Sequence, residues 1–416
     1  MSKSQGCGAG LALLLSVLLA GCDLFTGPGE TPSRIEALPR ALTVSEREVI
    51  ARSNAFAFEL LREVHQREDG PNVFLSPLSA SMALGMTLNG AAHATFDSMR
   101  ATLGFEGLAQ DEINRAYHDL TELLLKLDPK VELAIANSIW ARQGVPFLPS
   151  FFEVVGTWFD AEAQTLDFGS PAALAAINGW AAAKTKNRIP KVLDEITPLQ
   201  IMFLLNAVYF KGDWTDRFDV GMTNASSFRL GDGQTVQVPT MHGTIKAAVF
   251  HRPGVALGEL AYGGQAFVLT IAMPEGDGSL ADLITTLDAE TWADWTGTLP
   301  AGDYAKLAGI DVALPKLELT YEKYLNDALT AMGMGLAFTG DADFTRMTPG
   351  GAYIDFVKQN TFLKVDEKGT EAAAVTTVAM ATSMPPSLIV DRPFLLAIRE
   401  RLSGTILFLG VIGDPR

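Results

Sequence analysis

Cysteine is nearly absent: among 416 residues only Cys7 and Cys22 occur, both close to the N-terminus. A disulfide framework is therefore excluded, and with it a thiolate metal site or a cysteine nucleophile in the body of the chain. Histidine is also scarce. The five are His65, His93, His118, His242 and His251, and no two form an H-E-x-x-H pair. There is no Walker A sequence, no G-x-G-x-x-G and no G-x-S-x-G. Asp341-Ala342-Asp343 resembles the start of a calcium loop, but the required glycine and distal glutamate are missing, so it reads as a solvated turn. No metal and no cofactor are expected. Basic residues are outnumbered, 32 against 48 acidic ones, for a formal charge of −16 and a pI near 4.8. Such a surface repels phosphate backbones, so nucleic acid is not an expected partner.

Apolar material is abundant. Hydrophobic residues make up 48% of the chain and mean hydropathy is +0.18, which excludes disorder as the main state. The length would fit two or three domains of about 150 residues, or one large one. The first long apolar run, Leu11 to Ala20, is too short for a comfortable membrane span and has the length of a signal-peptide core. It ends in Leu19-Ala20-Gly21-Cys22, which resembles the lipobox of bacterial lipoproteins. That resemblance implies a signal peptide over residues 1–21, lipidation of Cys22, and anchoring in a bacterial cell envelope facing the periplasm or exterior. Residues 22–44, with Gly27-Pro28-Gly29, Pro32 and Pro39, read as a flexible tether. No later run of 18 apolar residues suggests a second span.

The body mixes helices and strands without a repeat. Ser45-Glu46-Arg47-Glu48 fits a capping box, followed by Val49, Phe56, Leu60 and Val64 at helical spacing. Ser76-Pro77 reads as an N-cap with proline at the first helical position, opening a helix to Leu88 that Asn89-Gly90 would end. Ile113, Tyr117, Leu120 and Leu124 predict another helix, and the alternation from Val131 to Ile139 predicts a strand. Ile201–Phe210, Phe267–Met273 and Val312–Leu319 read as strands buried on both faces, and Tyr353–Val365 as a further strand. Phe394–Ile398 and Ile406–Ile412 read as a hairpin about Leu402-Ser403-Gly404. Helices early and strands late, with no βαβ alternation, favour an α+β fold with large, mostly antiparallel sheets.

One stretch stands out. Ala372 to Val390 contains no charged residue, and small and β-branched residues dominate it as far as Met384, before Pro385-Pro386. It is either one more buried strand or a long connection able to become a strand. Exposed, such a segment is normally an aggregation hazard.

Val365-Asp366-Glu367-Lys368-Gly369-Thr370-Glu371-Ala372-Ala373-Ala374 resembles the reactive-loop hinge of the serpins, the serine protease inhibitor family. Leu388 to Ile398, with Asp391-Arg392-Pro393-Phe394, is similar to the C-terminal signature of that family. Asn72 to Ser79, Ala136 to Trp140, Ile177 to Trp180, Leu205 to Trp214 and Leu314-Pro315-Lys316 also fit, so the resemblance runs in order over residues 45–416. It implies one domain with three β-sheets, eight or nine helices and an exposed reactive-centre loop. It implies an inhibitor or, alternatively, a non-inhibitory serpin acting as a binding or structural module, and in neither case an enzyme. A target serine protease, or alternatively a cysteine protease, cuts the loop, and the loop inserts as a new strand before the acyl-enzyme hydrolyses. A monomer is expected. Ser76, Ser79, Asn206 and Gln359 fall at the family's "shutter" under the opening sheet, where the family usually has histidine in place of Gln359. Trp214 falls at its "breach", where the loop enters.

Side chains alternate along a strand, so Thr370, Ala372, Ala374 and Thr376 would face inward on insertion, all small, while Glu371 would stay in solvent. Gly369 supplies the backbone freedom of a fold-over point. Counting forward from Glu367 places the reactive bond at Ser383–Met384. Counting back from Phe394 places it at Thr382–Ser383, preferred because Ser383-Met384-Pro385-Pro386 then fits a common family frame. No Lys or Arg lies between Lys368 and Arg392, so elastase-like, subtilisin-like or chymotrypsin-like targets are expected.

Overall fold

A computed structural model describes residues 34–276, 278–299, 302–369 and 386–416. At its centre is the C-terminal hairpin. Strands β14 (Phe394–Glu400) and β15 (Ile406–Ile412) are buried at every residue, as the apolar runs Phe394–Ile398 and Ile406–Ile412 require of strands covered on both faces. They lie in the middle of a six-stranded antiparallel sheet, ordered β1-β15-β14-β9-β8-β7. Its other strands are β1 (Asn72–Leu75), β7 (Ala248–Arg252), β8 (Val255–Ala261) and β9 (Phe267–Pro274). A second sheet, ordered β13-β10-β6-β5, contains β5 (Asn224–Arg229), β6 (Thr235–Ile245), β10 (Ile310–Pro315) and β13 (Ser387–Ile389).

The remaining strands form two smaller sheets. In one, β2 (Val131–Arg142) lies between β3 (Glu162–Leu166) and β4 (Met202–Gly212). In the other, β11 (Leu317–Tyr324) pairs with β12 (Lys358–Val365). No ladder joins β4 to β12 among the described residues. The ladders among the described residues therefore form four sheets where three were expected, because β4 and β12 do not pair.

Nine α-helices occur among the described residues: α1 (Val44–His65), α2 (Pro77–Leu88), α3 (His93–Thr102), α4 (Gln110–Leu127), α5 (Pro149–Phe159), α6 (Pro171–Lys184), α7 (Leu280–Thr286), α8 (Ala289–Thr298) and α9 (Asn326–Leu329). None is long and apolar enough to cross a membrane. Helix α2 is buried almost throughout because it packs against both β15 and β4. Helix α6 packs on β2 and β4 through Trp140, Phe168, Ile177, Trp180 and Phe203.

Several local expectations are corrected. The capping box of α1 is Thr43 with Glu46, not Ser45 with Glu48. Glu46 is buried and also takes the Arg40 guanidinium, which fixes the helix start two residues earlier. From Arg34 onward the segment read as a flexible tether lies on the body: Ile35 N–H donates to Gly264 O at 2.8 Å. Ser76 precedes α2 with Pro77 at its start, but its hydroxyl caps nothing and donates instead to Leu407 O. The single strand expected over Val312–Leu319 is two strands of different sheets, parted at Lys316. The stretch from Tyr353 becomes regular only at Lys358. Finally, β4 is half-buried at many positions rather than enclosed, because no described strand covers its outer edge.

The six-stranded sheet also encloses an ion pair that apolar periodicity does not reveal. Arg399 and Glu259 are both buried and bonded to each other. Thr270 Oγ1 accepts from Arg399 Nε at 3.0 Å and Tyr304 Oη donates to Glu259. Arg399→Met would leave the carboxylate buried without its cation. A loss of about 3–5 kcal/mol in urea unfolding is expected. Pairing it with Glu259→Met should restore a large part of that loss.

Candidate functional site

Strands β4 and β12 point the same way, and their C-terminal ends meet. Trp214 N–H donates to Lys368 O at 3.3 Å, Trp214 Nε1 to Asp366 O at 2.8 Å, and Phe218 N–H to Glu367 O at 3.1 Å. Below that junction the halves stand apart. A cavity of about 230 Å3 opens between them, lined by β4 from Met202 to Ala207 and by β12 from Lys358 to Asn360. Helix α2 lines it on one side of the sheet and Trp180 of α6 on the other. Two parallel strands with facing edges can each pair with one strand between them. The chain leaving β12 at Gly369 must reverse to enter that space, so it would run antiparallel to both neighbours.

The closed end is built around Glu367, Gly369 and Trp214. Glu367 is 5% exposed, with Lys316 Nζ at 2.8 and 3.0 Å and Thr223 Oγ1 at 2.7 Å. Burial alone would raise its carboxyl pKa, but the Lys316 ammonium and the Thr223 hydroxyl outweigh it and hold the group below its ordinary value. Gly369 has φ +57°, and a Cβ there would sit 2.1 Å from Trp214 N, so the close backbone approach admits no side chain. Trp214 stacks on Tyr262, with ring centroids 4.4 Å apart and planes 12° apart, and meets Phe218 edge-on at 6.5 Å. This packing fixes the indole that holds Asp366.

A second polar cluster lies lower, under the parted region. Gln359 is buried and grips Ser76 twice: its Oε1 accepts from Ser76 N at 3.0 Å and its Nε2 donates to Ser76 O at 2.7 Å. Thr361 Oγ1 donates to Phe74 O at 2.6 Å. Across the gap, Asn206 Nδ2 donates to Asn137 Oδ1 at 2.6 Å, and Ser79 Oγ reaches Asn206 O at 3.5 Å. So β12 is bonded to the β1–α2 junction, while β4 is bonded to β2 and α2. At this level no hydrogen bond runs directly from β4 to β12 among the described residues; both are tied to the start of α2, β12 through Ser76 and β4 through Ser79.

The structure thus brings together Glu367, Gly369 and Trp214 at one end, and Ser76, Ser79, Asn206 and Gln359 at the other. Thr370, Glu371, Ala372, Ala373, Ala374, Thr382, Ser383 and Met384, and also Cys22, lie outside the described residues. Sequence reasoning gave no role to Lys316, Thr223, Tyr262, Asn137 or Thr361. Lys316 stood inside a motif, Leu314-Pro315-Lys316, and its position at a strand break was the available signal. Asn137 likewise stood inside a motif, Ala136 to Trp140, while Thr223, Tyr262 and Thr361 come from distant segments and carried none.

The family model described as "Serpin (serine protease inhibitor)" matches residues 51–415. The chain belongs to the serpin family. Serpin-Z1C of Triticum aestivum is 34% identical over 400 residues, covering 90% of this chain and 98% of its own. Among solved structures, the thermophilic serpin tengpin in its native state aligns with a TM-score of 0.78 at 27% identity, covering 91% of this chain and 97% of that one. Human thyroxine-binding globulin, solved in complex with thyroxine, aligns at 0.79 with 28% identity, covering 89% of this chain and 100% of that one. Serpins are in general protease inhibitors rather than catalysts, and the globulin is a serpin relative that binds a small molecule.

The Lys316–Glu367 clamp has a definite pH sign. A carboxyl held low in the folded state stabilises fully above its ordinary pKa of about 4.3, and that contribution is lost as pH falls through the depressed folded value. Hydrogen exchange at residues 366–369 should be slow and flat from pH 8 to about 5, after correction for intrinsic rates, then accelerate on further acidification. Lys316→Met removes the cation and leaves burial to dominate. The onset should then move to higher pH.

Proposed function

We propose that this serpin is a suicide-substrate inhibitor of serine proteases. The observation that supports this most is the pair of parallel strands β4 and β12, with no ladder between them among the described residues and backbone bonds across them where the loop begins. A protease nucleophile attacks the carbonyl at Thr382–Ser383 (or Ser383–Met384), the peptide bond breaks, and an ester to the enzyme forms. The released hinge, Gly369 onward, folds between β4 and β12. Its inward residues, Thr370, Ala372, Ala374 and Thr376, are small, and no proline interrupts Gly369 to Met384, so every N–H can join the ladder. Insertion outpaces hydrolysis of the ester and drags the protease across the molecule. The fold is therefore metastable, and its stored energy is released once.

With no Lys or Arg between Lys368 and Arg392, a trypsin-like specificity carboxylate finds no partner, so the target class is elastase-, subtilisin- or chymotrypsin-like. A cysteine protease can be trapped by the same acyl chemistry. The Leu19-Ala20-Gly21-Cys22 sequence supports signal-peptide removal at residues 1–21 and a lipid anchor on Cys22, with the domain displayed at a bacterial cell envelope.

The test uses elastase and trypsin side by side. Elastase should give an SDS-stable complex and trypsin none at this loop, and mass spectrometry of the released C-terminal peptide fixes the cut bond. Thr370→Arg would bring an unpaired charge into the sheet, a cost that falls on insertion alone. An added barrier of 1.4 kcal/mol slows insertion tenfold. The variant should still be cut but should lose the complex, while Glu371→Arg should keep it. Clean cleavage without a complex in the unmodified protein would instead mean a non-inhibitory serpin, a binding or structural module. Equal complex yield from both variants would contradict the inserting loop.

A further inference from the structure

The chain joins the body beside the closed end of the site. Ile35 N–H donates to Gly264 O at 2.8 Å, and the Arg401 guanidinium holds both Ile35 O at 3.3 Å and Gln265 O at 3.0 Å. Ile35 Cδ1 packs so closely on Gly264 that a Cβ there would lie 3.0 Å from it. The same turn is tied to the end of β4. Gly263 N–H donates to Asp213 O at 2.7 Å, Thr215 Oγ1 donates to Gly263 O at 3.1 Å, and Tyr262 carries the Trp214 ring. Twelve residue steps separate Ile35's neighbour Arg34 from Cys22. Fully extended, they reach about 40 Å.

This end also differs in charge from the rest of an acidic surface. Most described lysines stand beside a carboxylate, as Lys126 does with Glu122, Lys184 with Glu162 and Lys364 with Glu318. Lys130, Lys211 and Lys246 are exposed and make no ion pair among the described residues. All three border the end of β4. Lys130 packs against Gly263, Lys211 is the last residue but one of the strand, and Lys246 N–H donates to Asp216 Oδ2 at 2.8 Å. Glu132, opposite Lys211 in the ladder, is taken by Lys186. Asp213 is taken by Arg217 at 2.7 Å, and Asp219 accepts from Gly221 N–H at 2.8 Å. Between Phe218 and Thr223, both bonded to Glu367, a short turn exposes Val220 at 61% and Met222 at 53%. Uncommitted lysines around exposed apolar side chains suit a surface that meets an anionic bilayer.

We propose that the closed end is a membrane-contact face. Lys130, Lys211 and Lys246 meet anionic phospholipid headgroups, and Val220 and Met222 enter the interface between them. The proposal rests on the lipid-anchor reading of Cys22. A second exposed apolar pair, Leu199 and Tyr353, stands at the other end of the site, ahead of β4 and β12. From Leu199 to Trp214 the chain climbs roughly 40–50 Å at 3.3 Å per residue, so turning that end to the bilayer would draw the tether to its full length. The lysine there, Lys358, is already paired with Glu322 at 2.9 Å and Asp194 at 3.4 Å.

An acylated Cys22 leaves the mature chain without a free thiol, so Val220→Cys and Tyr353→Cys each introduce a single labelling site. The full chain, labelled with a fluorophore at one position or the other, is floated with vesicles that carry a nitroxide on the headgroup. With mixed phosphatidylglycerol and phosphatidylcholine, the label at residue 220 should be quenched and the label at residue 353 should not. Lys130→Gln, Lys211→Gln and Lys246→Gln should each weaken that contact about fivefold, the usual worth of one lysine at an anionic surface. Lys191→Gln, from a lysine paired with Asp194 toward the other end, should change nothing. Phosphatidylcholine alone should keep the protein afloat with less quenching at residue 220. Quenching at neither position, stronger quenching at residue 353, or quenching at residue 220 indifferent to both the three substitutions and the headgroup charge would overturn the face while leaving the anchor. An unmodified protein whose Cys22 takes the label and that fails to float would overturn the anchor, and this orientation with it.

Discussion

Backbone N–H and C=O groups along the facing edges of β4 and β12 need partners, and no described strand stands between them to supply them. The two edges are parallel, so one antiparallel strand can satisfy both at once. The arrangement of the site follows from this. The halves are joined at their C-terminal ends by Trp214 and Phe218 against Asp366, Glu367 and Lys368, and ahead of their N-terminal ends by Gln200 Nε2, which donates to Asp355 Oδ2 at 2.6 Å. The chain segment that could fill the gap begins at the C-terminal junction. A sheet closed along its whole length would leave no room for a strand, and one open at the top would have no defined entry.

The other features of the site serve that constraint. Gly369 permits the close backbone approach to Trp214 that closes the top. The Lys316–Glu367 pair and the Trp214–Tyr262 stack hold the closure from two independent sides. Lower down, Gln359 grips the Ser76 backbone with both ends of its amide, while Asn206 is tied to Asn137 on the opposite half. A glutamine needs no proton to make such contacts, so the grip of Gln359 on Ser76 is insensitive to pH. The pH response of the site instead lies at Glu367.

Much of this was legible in the chain, for identifiable reasons. The C-terminal hairpin announced itself through two unbroken apolar runs around a Ser-Gly turn, and both strands are buried throughout. Ser76, Asn206, Gln359 and Trp214 were singled out by ordered resemblance along the chain. What failed did so where tertiary context overrides local pattern. Val312–Leu319 is apolar enough for one strand, yet Lys316 leaves the ladder to meet Glu367, and the chain passes from one sheet to another there. Ile201–Phe210 looked enclosed because apolar content does not reveal that a neighbour is missing. Thr223 and Tyr262 were invisible, since a hydroxyl on a turn and an aromatic after a strand gain meaning only from residues far off in sequence.

The central claim is that the intact chain is not in its most stable fold, because a strand's worth of pairing waits to be made. About a dozen backbone hydrogen bonds, each contributing on the order of 1 kcal/mol net, would be gained on insertion. The direct measurement is thermal unfolding of the intact protein beside the same protein cut once within residues 378–384, with both fragments retained. The account predicts a melting temperature higher by roughly tens of degrees after the cut. An unchanged melting curve would contradict it.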